Sequence, residues 1–330
     1  WVRVTMLGGG RQVGRSSVLM QTPTSNVLLD CGINPGIETG PESYPMLDGP
    51  EFKLSDLDAI VLTHAHTDHS GFIPFLYKMG YRGPLYCTAP TRDISALLAL
   101  DSIGVSFKQA KKNLFDIQDV KEMVKHTITL NWEEVTDITP DMRLTLYNSG
   151  HILGSSMIHL NVGNGSHNFL YTGDMKYLKT RVLDPAATKF PRLETVMIES
   201  TYGDKNAVLG SRKKAEERLV EVVEETVKKK GKILIPVLGV GRAQELLLVI
   251  ESAIREGRMK KLPVYVQGMV WDITGIHTAY PDFLNKDLRR SIFHKDQNPF
   301  LSDVFKKVGS RKEQDAIMES NESCIIVATA

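Results

Sequence analysis

At 330 residues the chain has room for two domains, since single cores stop growing near ~250–300 residues, and its 42% hydrophobic and 24% charged residues are an ordinary globular balance that argues against disorder. With 40 basic against 39 acidic residues the net charge is +1, so bulk charge selects neither nucleic acid nor membrane, and any polyanion site must come from local arrangement. Three distant cysteines, Cys31, Cys87 and Cys324, argue against a disulfide framework, and no stretch reaches the ~18 apolar residues of a membrane span, so the sequence reads as a soluble cytoplasmic protein.

In chain order, "VRVTML", "SSVLMQT", "NVLLD" and "LDAIVLTH" read as short strands separated by Gly, Pro, Asn and Ser turns. After Ser70 the pattern turns helical in "GFIPFLYKMG" and "TRDISALLALDSIGV", with Thr91 as the expected N-cap of the second. Strands return in "RLTLYNSGH", "SSMIHLNVG", "HNFLYTGD" and "ETVMIES", two of them joined by a hairpin through Gly163 and Gly165. From about Gly203 the alternation is regular: helix "SRKKAEERLVEVVEETVKKKG", strand "KILIPVL", helix "GRAQELLLVIESAIREG", strand "LPVYVQG", several helical pieces, and a terminal strand "SCIIVATA". That order predicts a parallel sheet covered by helices. Trp1 is no initiator and the terminal strand simply stops, so the chain is expected to be a fragment. No repeat of 20–50 residues is present. The lysine and arginine clusters at Lys228–Lys230, Lys260–Lys261 and Arg289–Arg290 read as solvated helix ends or turns.

The stretch "VLTHAHTDHSG" places His64, His66, Asp68 and His69 on a loop between a buried strand and a helix. Residues two apart in an extended segment point the same way, so His64 and His66 can reach one ion, while Asp68 and His69, past the bend, can reach a second. Imidazole and carboxylate are the usual zinc ligands. Further donors stand at other strand ends: His151 in a glycine-flanked turn, Asp174 after "FLYTG", Asp30 in "NVLLDCG" and Glu199 in "VMIESTYGD". His126, His159, His167, His277 and His294 lack this context and read as ordinary core or surface residues.

Asp30, the run His64 to His69, the lone His151 and Asp174, in this order, resemble the metallo-β-lactamase superfamily across residues 1–204. "ESTYGD", "PVLGVGRAQELL" and "GGGRQVGRSS" extend the resemblance to its β-CASP nuclease branch, nearest the archaeal homologue of the cleavage and polyadenylation specificity factor endonuclease. The implied fold is α/β: a metallo-β-lactamase αββα sandwich, incomplete at its C-terminal end (1–204), with an inserted β-CASP parallel α/β domain, truncated (205–330). The implied site has two Zn2+, the first held by His64, His66 and His151, the second by Asp68 and His69, with Asp174 bridging. Asp30 is expected to orient the cluster, and Glu199 to be a catalytic-side acid or to orient one, with Asp68 serving mainly as a ligand.

The resemblance further implies a ribonuclease acting on single-stranded RNA, an endonuclease with 5′–3′ exonuclease ability, in RNA 3′-end processing or transcription termination. Arg15, Lys176 and Arg242 are expected to contact phosphates. Two more histidine motifs are expected beyond Ala330, RNA-binding KH domains before Trp1, and a homodimer formed through C-terminal residues of the full-length protein. A thioesterase or lactonase of the same superfamily, and an inactive scaffold subunit, are the competing readings.

Overall fold

In a β-strand successive side chains point to opposite faces, and the first part of the chain uses that alternation to build two cores from the same strands. The computed structural model describes residues 1–37, 40–208 and 210–329; Ala330, the last residue of the expected terminal strand, lies outside them. The chain divides into two units, the first comprising Trp1–Leu178 and Pro185–Thr201, the second Lys179–Asp184 and Tyr202–Ala330.

In the first unit, β1 (Arg3–Gly8), β2 (Ser17–Gln21), β3 (Asn26–Leu29), β4 (Ala59–Val61), β5 (Leu85–Cys87) and β6 (Thr127–Thr129) form one sheet in that order, antiparallel up to β3 and parallel thereafter. Leu19, Leu28 and Ile60 face helices α2 (Ile73–Lys78), α3 (Ala89–Lys108) and α4 (Ile117–Lys125), which follow the single turn α1 (Thr67–Ser70). Val18, Val27, Leu29, Ala59 and Val61 face the other way, into a core shared with a second sheet. That sheet runs β11 (Thr195–Met197), β10 (His167–Tyr171), β9 (Ser156–Val162), β8 (Met142–Asn148), β7 (Val135–Thr139), with only β10 and β11 parallel. Its outer face carries Tyr147, Met157 and Leu170 against Ala186, Phe190 and Leu193. Helix, sheet and sheet are thus stacked as the αββα expectation requires, with an irregular segment as the outer cover. The hairpin expected at Gly163 and Gly165 joins β9 to β10, both glycines at positive φ.

One expected cap is corrected. Thr88, not Thr91, caps α3: its hydroxyl oxygen accepts the Thr91 amide, and Pro90 occupies the first turn, where its missing N–H costs nothing.

In the second unit, α5 (Arg212–Lys228), β12 (Ile233–Val237), α6 (Arg242–Arg255), β13 (Val264–Gln267), α7 (Met269–Ala279), α8 (Lys286–Lys295), β14 (Phe305–Val308), α9 (Arg311–Glu319) and β15 (Ile325–Thr329) build an all-parallel sheet of order β12-β15-β13-β14. β14 lies where only helical pieces were expected. A short strap, Lys179–Asp184, also belongs to this unit. The Arg181 guanidinium donates to Glu216 and to Ser252 Oγ, Glu245 accepts the Arg181 and Val182 amides, and the Asn285 amide donates to the Val182 carbonyl at 2.8 Å. The unit boundary at Thr201 and Tyr202 stands three residues before the expected one, and the strap was not foreseen. No helix among the described residues is long and apolar enough to cross a membrane.

His277 on α7 is fully buried, donates Nδ1–H to the Ile273 carbonyl at 2.8 Å and packs against Phe300. Burial pushes its pKa down to about 4, against the opposing pull of the Ile273 carbonyl. Because the folded value lies below the unfolded one of 6.5, the stability this ring contributes is complete above pH 6.5 and is lost as pH falls through about 4. The loss amounts to about 3 kcal/mol. Urea midpoints of wild type and His277→Gln measured from pH 7 to pH 4 should therefore converge as the pH falls; a constant difference would show that the ring does not titrate there.

Candidate metal centre

The site forms because β4 ends at Val61 and the chain bends at Thr63 before entering α1 at Thr67. The turn is tied down by backbone bonds from neighbouring segments: Cys31 N–H to His69 O, Ile33 N–H to Thr67 O and Ser16 N–H to Asp68 O, at 2.8–3.0 Å. Gly32 permits this approach, since a Cβ there would stand 1.8 Å from the Asp68 carbonyl oxygen. The Asp174 loop meets the same segment at Gly173, whose φ is +50° and where a Cβ would lie 2.7 Å from Thr63 Cβ.

Four expected ligands converge: single ligand atoms of His64, His66, His151 and Asp174 all lie within 4.8 Å of one another. His66 Nδ1 is 3.2 Å from His64 Nε2 and 3.1 Å from His151 Nε2, and Asp174 Oδ2 is 3.9 Å from the former and 3.5 Å from the latter. His69 Nε2 forms the centre of a second group, 3.4 Å from Asp174 Oδ1 and 3.7 Å from Asp68 Oδ2. Asp174 thus faces both groups, one oxygen to each.

The protonation states suit a cation. Burial, reinforced by the neighbouring imidazoles, pushes His64 well below the ordinary histidine range, and burial with His66 beside it brings His151 to about 3. Asp174 is held at about 2: burial would raise it, but the hydrogen bond and charge of His69 outweigh that. His69 resists the same burial through Asp30 and Asp174 and is raised well above its usual value. Two neutral rings therefore aim at one His66 nitrogen, and a single N–H on His66 can serve only one of them. A divalent cation accepts lone pairs from all three, so the donor set fits one.

Asp30 lies outside the converging atoms, wholly buried beneath them in the left-handed conformation at φ 57°. It accepts His69 Nδ1–H at 2.7 Å and both the amide and the hydroxyl of Thr63. Glu199 is not among the ligand atoms either: its carboxylate accepts the Met175 amide at 3.4 Å and the Thr201 amide at 3.0 Å, bracing the loop that carries Asp174. Arg15 directs its guanidinium to the Pro41 and Tyr44 carbonyls, Lys176 is exposed two residues from Asp174, and Arg242 opens α6 in the second unit. His126, His159, His167, His277 and His294 lie outside the cluster. Three participants had no sequence signal as site residues: Thr63, Ser16, whose hydroxyl stands 3.4 Å from His69 Nε2, and Tyr171, whose hydroxyl is held in its neutral form by burial and the charge of Asp30.

Residues 19–201 match the family described as "Metallo-beta-lactamase superfamily domain", and residues 243–330 that described as "Beta-Casp domain". Similar curated proteins are named transcription termination factor FttA. That of Methanothermobacter thermautotrophicus is 54% identical over 326 residues, 99% of this chain and 51% of that protein. That of Methanocaldococcus jannaschii is 51% identical over 330 residues, 100% of this chain and 52% of that protein, and that of Lokiarchaeum sp. is 52% identical over 329 residues, 100% and 51%. The chain spans about half the length of the curated relatives it matches. Among solved structures, a protein of unknown function from Enterococcus faecalis V583 is similar in fold, with a TM-score of 0.59 at 14% identity over 99% of this chain and 77% of that one.

Substitutions in the cluster should divide its groups by role. His151→Ala and Asp174→Ala are expected to lower the metal retained per chain after dialysis, measured by elemental analysis. Asp30→Asn should keep the ligands but weaken affinity ~10- to 100-fold, the usual cost of losing a carboxylate behind a ligating histidine. Unchanged affinity in all three variants would remove this cluster from consideration as a metal centre.

Proposed function

The chain belongs to the metallo-β-lactamase superfamily and carries a β-CASP domain, and from that premise we propose that it is the metal-binding part of a ribonuclease that hydrolyses single-stranded RNA during transcription termination or RNA 3′-end processing. The observation that carries this reading is the shared position of Asp174, one oxygen toward the three-histidine group and the other toward His69 and Asp68. Zn2+ suits the imidazole-rich set, with His64, His66, His151 and Asp174 holding one ion and His69, Asp68 and Asp174 a second. Bound there, divalent cations would polarise a phosphodiester oxygen and acidify water towards neutral pH.

The remaining work falls to the chain. Asp30 holds His69 in place and Glu199 braces the Asp174 loop, so the ligand geometry is fixed before substrate arrives. Lys176, exposed beside that loop, supplies positive charge for a backbone phosphate. The names of the FttA relatives support transcription termination as context, and single-stranded RNA as substrate and a homodimer of the full-length protein accompany this reading. A thioesterase or lactonase reading leaves the β-CASP match of residues 243–330 without a role, and a scaffold reading leaves the neutral imidazole cluster without one.

Labelled single-stranded RNA incubated with the zinc-loaded full-length protein should be cleaved, cleavage should vanish with a chelator or in Asp174→Asn, and RNA affinity should fall with rising salt. Intact RNA in the presence of demonstrably bound zinc would count decisively against the ribonuclease reading.

A further inference from the structure

We propose that Thr63 is a positioning residue that sets the tautomer of His64, so that one buried carboxylate presents two imidazoles to the metal site: His69 directly, and His64 through a hydroxyl. The proposal deepens the metal-site reading above and rests on it for its consequence, though not for its geometry. Asp30 Oδ2 lies 2.8 Å from Thr63 Oγ1 and 2.7 Å from His69 Nδ1, while Oδ1 accepts the Thr63 amide at 2.7 Å. A carboxylate accepts, so the single hydrogen of the Thr63 hydroxyl points at Asp30. Toward His64 Nδ1, 3.0 Å away, the same oxygen can then only accept.

His64 must therefore carry its hydrogen on Nδ1, leaving Nε2 bare where it faces His66 Nδ1 at 3.2 Å and Asp174 Oδ2 at 3.9 Å. His69, donating from Nδ1 to Asp30, turns its Nε2 toward Asp174 and Asp68. Asp30, Thr63 and His64 are all at most 1% exposed, so bulk water does not compete for these bonds. Gly173 approaches the Thr63 side chain so closely that a Cβ there would stand 2.8 Å from Thr63 Oγ1. The hydroxyl thus acts as a relay: without it, nothing from Asp30 reaches His64, whereas His69 keeps its partner.

Long-range 1H–15N spectra of the histidine-labelled protein before metal is added read this directly. The expected result is a protonated Nδ1 and bare Nε2 on His64; a protonated Nε2 would overturn the proposal. Thr63→Val keeps the shape and removes the hydroxyl. It should free the His64 tautomer while the His69 signals stay as in wild type, which also reports that the turn is folded. Zn2+ affinity by chelator competition should fall ~10- to 100-fold in Thr63→Val and recover in Thr63→Ser. Equal affinity in wild type and Thr63→Val would overturn the relay. If the wild type took up no zinc at all, the metal reading would fail, and the tautomer measurement would still decide the proposal.

Discussion

The Asp30 carboxylate lies wholly out of water and accepts from the Thr63 amide, the Thr63 hydroxyl and His69. Burying an unpaired carboxylate costs several kcal/mol, so these donors have to be in place for the surrounding sheet to close. They come from the segment after β4 and from α1, and Asp30 itself follows β3 with its amide bonded to the Val61 carbonyl. One side chain therefore ties the end of β3 to the segment that carries His64, His66, Asp68 and His69. The left-handed backbone at Asp30 is the local strain accepted for aiming that carboxylate inward.

Electrostatics and sterics divide the remaining work. Crowding neutral imidazoles around one point is tolerable because burial disfavours their charged forms. The close backbone approaches at Gly32 and Gly173 bring the α1 turn and the Asp174 loop within reach of one another. A methyl group at either would push apart segments far separated in sequence.

What could be read from the sequence follows from how local each signal is. His64, His66, Asp68 and His69 announce themselves because four donors fall within six residues at a strand end. His151 and Asp174 were findable because each closes an apolar strand with a glycine before it. Thr63 was not, since its part depends on which way one hydroxyl hydrogen points, and that is decided by Asp30, 33 residues away. The parallel sheet of the second unit was legible from strand and helix alternation, but β14 was not. Its Phe305 and Val308 are buried and Lys306 and Lys307 exposed, a spacing of three that reads as helix and is permitted because β14 is an edge strand. Thr91 passed for a cap because it precedes the periodic run, while Thr88 actually starts it, ahead of Pro90.

The strap Lys179–Asp184 leaves the first unit, is hydrogen-bonded into the second, and is followed by Pro185–Thr201, which returns to the first. Neither unit is therefore one uninterrupted stretch of polypeptide. A cut anywhere near residue 202 would strand Arg181 without Glu216, and leave Glu245 and Asn285 with no amide or carbonyl to meet. During synthesis, likewise, the six strap residues emerge well before the helices that hold them, so the first unit must complete itself around a loop whose final anchorage has not yet been made.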